Sequence, residues 1–304
     1  MAMADTKKLS LELRDNFFIQ TLYNDKAMKY NELHEQIEKE GVRMKRLLIA
    51  VVMMLVVAGC TMTSSSEIDT SLQDVLDANV MVVGYTEYPP MGFTENGVVT
   101  GFDIEIAKEV ASRLGVDVEF VYIDWDAKEL ELSSKNIDMI WNGLTITEER
   151  REQILFSKPY FDNRIVILSL ADNSKNTIAD LADKKVGVEL SSSGQIALEN
   201  NAIASELDEI VKFTTITEAL LDLKAGGIDA IVADEIFARY ALSKDDGAYF
   251  VAEEVFNSEN YGVGFRLEDV ALRDKIDEIL DEMASDGTAK AISEFWFEED
   301  LLKR

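Results

Sequence analysis

The residues best suited to chemistry fall at the ends of short apolar runs. Gly143-Leu144-Thr145-Ile146-Thr147-Glu148-Glu149-Arg150 joins a strand-like run to a helix-like one. A helix start offers unpaired N–H groups and partial positive charge. Thr145 adds a hydroxyl and Arg150 a planar fork of donors, a set that suits a carboxylate. The same residues also read as an ordinary capped helix whose Arg150 pairs with a nearby acid, and physics alone leaves the two even. Glu189-Leu190-Ser191-Ser192-Ser193-Gly194 is a second strand-to-helix turn. Its backbone could contact an anion or an amino group, although in isolation a plain polar turn is the simpler reading. Asp234 closes the run Ile231 to Ala233, where a carboxylate could hold an ammonium or could cap the helix Glu235 to Leu242. Glu235 beside it reads as solvated first-turn charge. Tyr85, Tyr88, Trp125 and Trp141 are the aromatic candidates for the walls of a ligand slot. Trp141, inside an apolar run, reads instead as core.

Other chemistries are excluded by what is scarce. The chain of 304 residues has one Cys, Cys60, and one His, His34. If the chain is cut before Cys60, the remainder has no His. That removes Ser-His-Asp and Cys-His catalysis, His-ligated zinc and the usual near-neutral base. A metal site of carboxylates alone is conceivable, but no EF-hand spacing occurs, and neither a metal nor a cofactor is expected. With no Gly-x-x-x-x-Gly-Lys-Ser/Thr loop, the chain is not a phosphate-loop ATPase. The formal charge is −28, with no basic tract after residue 46, which disfavours nucleic acid as a partner.

The elements that must position these residues start with an export signal. Met44-Lys45-Arg46, an apolar run from Leu47 to Val57, and Ala58-Gly59-Cys60 have the layout of a signal peptide, and the run is too short to span a bilayer. Val57-Ala58-Gly59-Cys60 resembles a bacterial lipobox, with Cys60 lipidated as the mature N-terminus. Residues 44–59 are then signal and residues 60–76 a polar tether. Residues 1–43 are expected to be an extension from a misassigned upstream start. The competing reading is a genuine cytosolic segment before an uncleaved anchor.

From Val80 onward strand-like and helix-like segments alternate. Val80 to Tyr85, Val118 to Tyr122 and Ile137 to Trp141 read as strands. Phe102 to Leu114, Asp126 to Ser134 and Thr147 to Ile154 read as helices, and the pattern resumes at Lys185. Such alternation predicts an α/β architecture with mostly parallel strands. Leu132 to Ile140 echoes Leu223 to Ile231, each a helix end, a turn, Ile-Asp and a strand followed by polar residues. Ligands of open α/β sheets bind beyond such strand ends.

In this order the segments resemble the family-3 solute-binding proteins of ABC importers for polar amino acids, over about residues 76–300. The pieces that carry the likeness are Tyr88-Pro89-Pro90-Met91-Gly92-Phe93, Gly101-Phe102-Asp103-Ile104, Trp141 to Arg150, Phe156-Ser157-Lys158-Pro159-Tyr160, and Asp286-Gly287-Thr288 before Ile292 to Phe297. The resemblance implies a two-lobed periplasmic-binding-protein-like fold (type II) with two hinge strands and the ligand in the interlobe cleft. Lobe 1 would be residues 77–163 and 259–304, and lobe 2 residues 164–258. It implies that Gly143, Thr145 and Arg150 hold an α-carboxylate, with Ser192 and Ser193 facing them from the other lobe. Asp234 would accept the α-ammonium, and Tyr88 and Trp125 would sandwich the side chain. Tyr85 stands where relatives that bind cationic amino acids commonly carry an acid. Its presence argues for a polar neutral ligand, glutamine-like or cystine-like, with Glu189 or Glu87 still able to lend negative charge.

The function so implied is the amino-acid-binding component of an ABC importer, not an enzyme. It would be a monomer anchored through Cys60 outside the cytoplasmic membrane, closing on a free amino acid and delivering it to a permease. The rivals are a cyclohexadienyl-dehydratase-like lyase on the same fold, with Glu189 or Glu235 as acid, and a sensory use of the domain.

Overall fold

The structure, a computed structural model, describes residues 69–245 and 247–304. The expectations for the upstream extension, the signal segment and Cys60 lie outside these residues. Residues 71–76, expected as the end of the tether, instead form most of the first helix, α1 (Ser71–Ala78). The reason is local. Leu72 and Val75, one turn apart, pack on the core, and Asp69 accepts the N–H groups of Ser71 and Ala271. A Ser/Thr-rich composition had masked this short apolar stripe.

The chain continues through β1 (Val80–Tyr85), a hairpin of β2 (Phe93–Glu95) and β3 (Val98–Thr100), α2 (Phe102–Leu114), β4 (Asp117–Tyr122), α3 (Lys128–Ser133), β5 (Met139–Ile140), α4 (Glu148–Arg151) and β6 (Leu155–Phe156). There follow β7 (Phe161–Leu170), β8 (Lys185–Glu189), α5 (Ser193–Glu199), β9 (Glu209–Phe213), α6 (Ile216–Ala225), β10 (Ala230–Asp234), α7 (Glu235–Lys244) and β11 (Tyr249–Tyr261). Last come β12 (Gly264–Phe265), α8 (Val270–Asp286) and α9 (Thr288–Phe297). Two five-stranded sheets result, in the orders β4-β1-β5-β12-β6 and β11-β7-β10-β8-β9. In each, three strands run parallel, as the alternation of elements predicts. Parallel strands need both faces covered, and β10 is buried along its whole length. The helix expected to reach Ile154 ends at Arg151, and the strand expected over Ile137 to Trp141 keeps only Met139 and Ile140.

The sequence echo has a structural counterpart. Asp138 accepts the Val82 N–H at 2.9 Å while its own N–H donates to Val82 O at 2.8 Å. Asp229 does the same to Lys185, at 3.0 and 2.8 Å. Each Asp clamps the entry of its strand to the neighbouring strand, β5 to β1 and β10 to β8. The polar residues that follow each strand are thereby carried to the same edge of their sheets.

The antiparallel pair β7 and β11 runs from Phe161 opposite Tyr261 to Leu170 opposite Tyr249, with irregularities near Val255. Its Phe161/Tyr261 end adjoins the first sheet, because Tyr160 N–H donates to Tyr261 O and Gly262 N–H to Leu144 O. Its other end belongs to the second sheet. The two sheets are therefore joined by paired strands, the arrangement of a two-lobed type II binding fold.

Candidate binding cleft

Arg150 is positioned by a four-residue helix that Thr147 starts. The Thr147 hydroxyl accepts the Arg150 N–H at 3.1 Å, the cap expected of its type. The guanidinium is almost fully buried and donates to Thr145 O at 2.9 Å and, across the cleft, to Ser191 O at 3.0 Å. Burial pulls its proton affinity down, and the surrounding acids oppose that.

The turn before it is held from below. Gly143 has φ +63°, and an added Cβ would lie 3.3 Å from the Tyr88 ring, so a side chain would be both strained and crowded. Its N–H donates at 2.7 Å to Asp103, a fully buried carboxylate that also accepts the Tyr160 hydroxyl at 2.8 Å. Burial raises Asp103 to about 7. Asp103, in the first turn of α2, thus fixes the turn without reaching the cavity.

Asp234 occupies the N-cap position of α7 but makes no side-chain cap bond. Its oxygens instead accept the Tyr88 hydroxyl and the Asn163 amide. Burial, reinforced by Glu259, raises it to about 7. Tyr88 also stacks on Phe237 at 5.8 Å. Asn163 and Glu259 face each other on β7 and β11, and one Glu259 oxygen collects Thr145 Oγ1 at 2.6 Å, Ser193 Oγ at 3.0 Å and Asn163 Nδ2 at 3.0 Å. The Ser192 hydroxyl caps α5 by accepting the Gln195 N–H at 3.0 Å.

The structure brings Tyr88, Trp125, Gly143, Thr145, Arg150, Ser192, Ser193 and Asp234 to one cavity, joined there by Thr86, Asn142 and Glu189. The cavity left among them is about 10 Å³, room for roughly one water. Tyr85 is not brought to it. Its ring packs edge-on against Phe120 and Tyr122 of β4, because alternate residues of a strand face opposite ways. The neighbour that lines the cavity from the end of β1 is Thr86, also neutral. Glu87 is drawn away to the Thr94 N–H, and Glu235 is paired with Arg164 and Arg239 rather than simply solvated. Trp141 is buried in the core as expected.

Sequence reasoning missed Asn163, Glu259 and Lys128. Asn163 carried a signal: it lies in phase with the buried residues Phe161 and Ile165, a polar residue on an apolar stripe. Lys128 is buried, donates to Trp125 O at 3.0 Å, lies 3.5 Å from Ser191 O, and sits 5.0 Å from the Trp125 ring centre. Burial and the nearby Arg150 lower it to about 8. No cluster of potential metal ligands occurs among the described residues.

Chemically, the cavity offers a cation and a buried carboxylate on opposite halves, with hydroxyls and a backbone turn between them. That set can neutralise both charges of a small zwitterion at once.

Comparison with known proteins agrees in scale and order. The L-cystine-binding protein TcyJ of Escherichia coli K12 is 32% identical over 267 residues, spanning 85% of this chain and 97% of that protein. The histidine-binding periplasmic protein of Salmonella typhimurium is 34% identical over 214 residues, 67% of this chain and 82% of that protein. The crystal structure of an ABC uptake transporter substrate binding protein from Streptococcus pneumoniae with bound histidine superposes with a TM-score of 0.73 at 34% identity, covering 78% of this chain and 99% of that one. Residues 80–299 match the description of the bacterial extracellular solute-binding proteins, family 3, and the chain belongs to that family.

Proposed function

We propose that this chain is the amino-acid-binding component of an ABC importer, closing its cleft on a polar amino acid and presenting it to a permease. The observation that carries this reading is the opposition of Arg150 and Asp234 across one buried cavity. Arg150 takes the α-carboxylate, helped by Thr145, Gly143 and the Ser192–Ser193 turn, and Asp234 takes the α-ammonium. Tyr88 and Trp125 flank the side chain. Relatives named for cystine and histidine binding support an amino-acid ligand. A neutral Thr86 at the end of β1 supports a polar neutral side chain, glutamine-like or cystine-like.

Contacts between the halves, Tyr88 to Asp234 and Arg150 to Ser191, exist only when the cleft is closed. A ligand that strengthens them shifts the open–closed population. The chain works outside the cytoplasmic membrane as a monomer tethered by lipid at Cys60, with residues 1–43 not part of the mature protein. Lobe 1 comprises residues 77–163 and 259–304, and lobe 2 residues 164–258.

Calorimetry of residues 61–304, unfolded and refolded to remove carried ligand, against the common amino acids and cystine tests the reading. Binding of one or more is expected, with loss of about 100-fold or more in Arg150→Ala, in line with truncating one partner of a buried charge pair. Unchanged affinity in that variant overturns the carboxylate assignment. Turnover of prephenate or arogenate overturns the non-enzymatic reading.

A further inference from the structure

Lys128 is a buried cation beside the cleft that the α-carboxylate and α-ammonium assignments leave unused. It opens α3 and is 1% exposed. Trp125 and Arg150 line the cavity, and Lys128 does not. An ammonium has three donors and no acceptor. Two partners of its Nζ lie on its own side of the cleft, Trp125 O at 3.0 Å and Glu129 at 3.2 Å. The third lies across the cleft, Ser191 O at 3.5 Å. Arg150 Nη2 donates to the same oxygen at 3.0 Å. One carbonyl from the second sheet's half therefore faces two cations from the first. Its own turn aims it there. Ser191, between β8 and α5, has φ +59°, a left-handed conformation unfavourable for a residue with a side chain. The Gln195 side chain holds that turn by accepting the Ser191 N–H at 2.8 Å.

We propose that Lys128 is a positioning residue that latches the cleft: it holds the Ser191 carbonyl, and with it the second half, over a ligand that it does not touch. This rests on the amino-acid-binding reading and deepens it. A carboxylate gripped by Arg150 competes for the donors that reach Ser191 O. Lys128, outside the cavity, meets no such competition. Burial and then the Arg150 charge weaken the hold of Lys128 on its proton, while Glu129 and Glu189 strengthen it. A carboxylate beside Arg150 offsets that repulsion and firms the ammonium in its charged form. Arg150 thus receives the ligand, and Lys128 turns its arrival into closure. Since the latch meets only protein, it slows the release of every ligand alike.

The test uses the two tightest ligands of the wild type, found by calorimetry among the common amino acids and cystine. Their release is timed by stopped-flow tryptophan fluorescence. Lys128→Met keeps the apolar stem beside Trp125 and removes the charge. It should release both ligands about fivefold faster or more, as expected for a lost charge-assisted hydrogen bond. The factor should be the same for both within about threefold, because the ligand is not what the latch reads. Gln195→Ala, at a half-buried position, frees the Ser191 turn and should also speed release. The double variant should be no faster than the quicker single one, since both act through one carbonyl. Wild-type release by a cooperatively melting Lys128→Met overturns the latch, and where that variant does not fold, wild-type release by Gln195→Ala does so. A wider spread between ligands, or effects that multiply in the double variant, overturns it too. In all these cases amino-acid binding itself stands. No binding of any amino acid by the wild type sinks the underlying function instead.

Discussion

Asp234→Asn separates a binding carboxylate from a helix cap, because the two roles predict opposite signs. Asp234 makes no cap bond, and burial with Glu259 nearby raises it from 3.8 to about 7. Between those pH values the closed, folded chain keeps a proton that the unfolded chain has lost. Stability therefore falls as pH rises through that window and levels off above it. At about 1.4 kcal/mol per pH unit the span is worth about 4 kcal/mol. This is an upper bound, since the cleft can open and rewet the carboxylate, and about 1–2 kcal/mol is expected to survive. Without ligand at pH 8 the Asn variant, with no charge to bury, should melt higher by roughly 2–8 °C for a chain of this size. At pH 4 the gain should vanish. Affinity for the amino acid should move the other way. Removing one partner of a buried ion pair costs about 3–5 kcal/mol, roughly 100- to 10,000-fold in Kd. Circular-dichroism melts at both pH values, with calorimetry at pH 8, read the two effects. A variant that melts lower by the roughly 1 kcal/mol of a lost cap, and binds as well as the parent, refutes the reasoning.

Tyr88→Phe should keep the stack on Phe237 but lose the hydroxyl that bridges to Asp234. A hydrogen bond to a charged group contributes about 1.5–3 kcal/mol, so Kd should rise roughly 10- to 100-fold and small-angle scattering should show a larger open fraction; an unchanged Kd counts against the cross-cleft contact. Asp103→Ala should leave the Gly143 N–H and the Tyr160 hydroxyl buried without acceptors. At about 1–3 kcal/mol each the loss should be visible as a lower urea midpoint, and an unshifted midpoint would remove Asp103 as the support of the turn.

The α/β alternation, the two strand-to-helix turns and the strand end at Asp234 were legible because each depends on residues close in sequence. A strand's last residue and the cap after it announce themselves by type and spacing. What failed to read were facts of parity and distance. Tyr85 and Thr86 differ by one position, and that step alone decides which of them faces β4 and which faces the cleft. The end of the tether failed for another reason: two apolar residues one turn apart give too weak a periodicity to announce an eight-residue helix. Lys128 sits inside a polar helix, and only the folded chain brings it beside Ser191.

The hinge pair shows why distance hides function most completely. Asn163 and Glu259 are far apart in sequence, and only Asn163 gives a local sign, as a polar residue on an apolar stripe. Paired opposite one another, they tie the cleft to the strands that must bend when it opens. The Asn163 amide donates to both Asp234 and Glu259, while Glu259 holds Thr145 from the first sheet's side and Ser193 from the second. A positive charge placed at Asp234 weakens its competition for the shared amide and favours its ionised form. Any rotation of β7 against β11 must break these same bonds. The charge state of the cavity and the geometry of the hinge are therefore linked through one amide. If Asp234 takes the ligand's ammonium as proposed, closure responds to that charge without any contact between ligand and hinge.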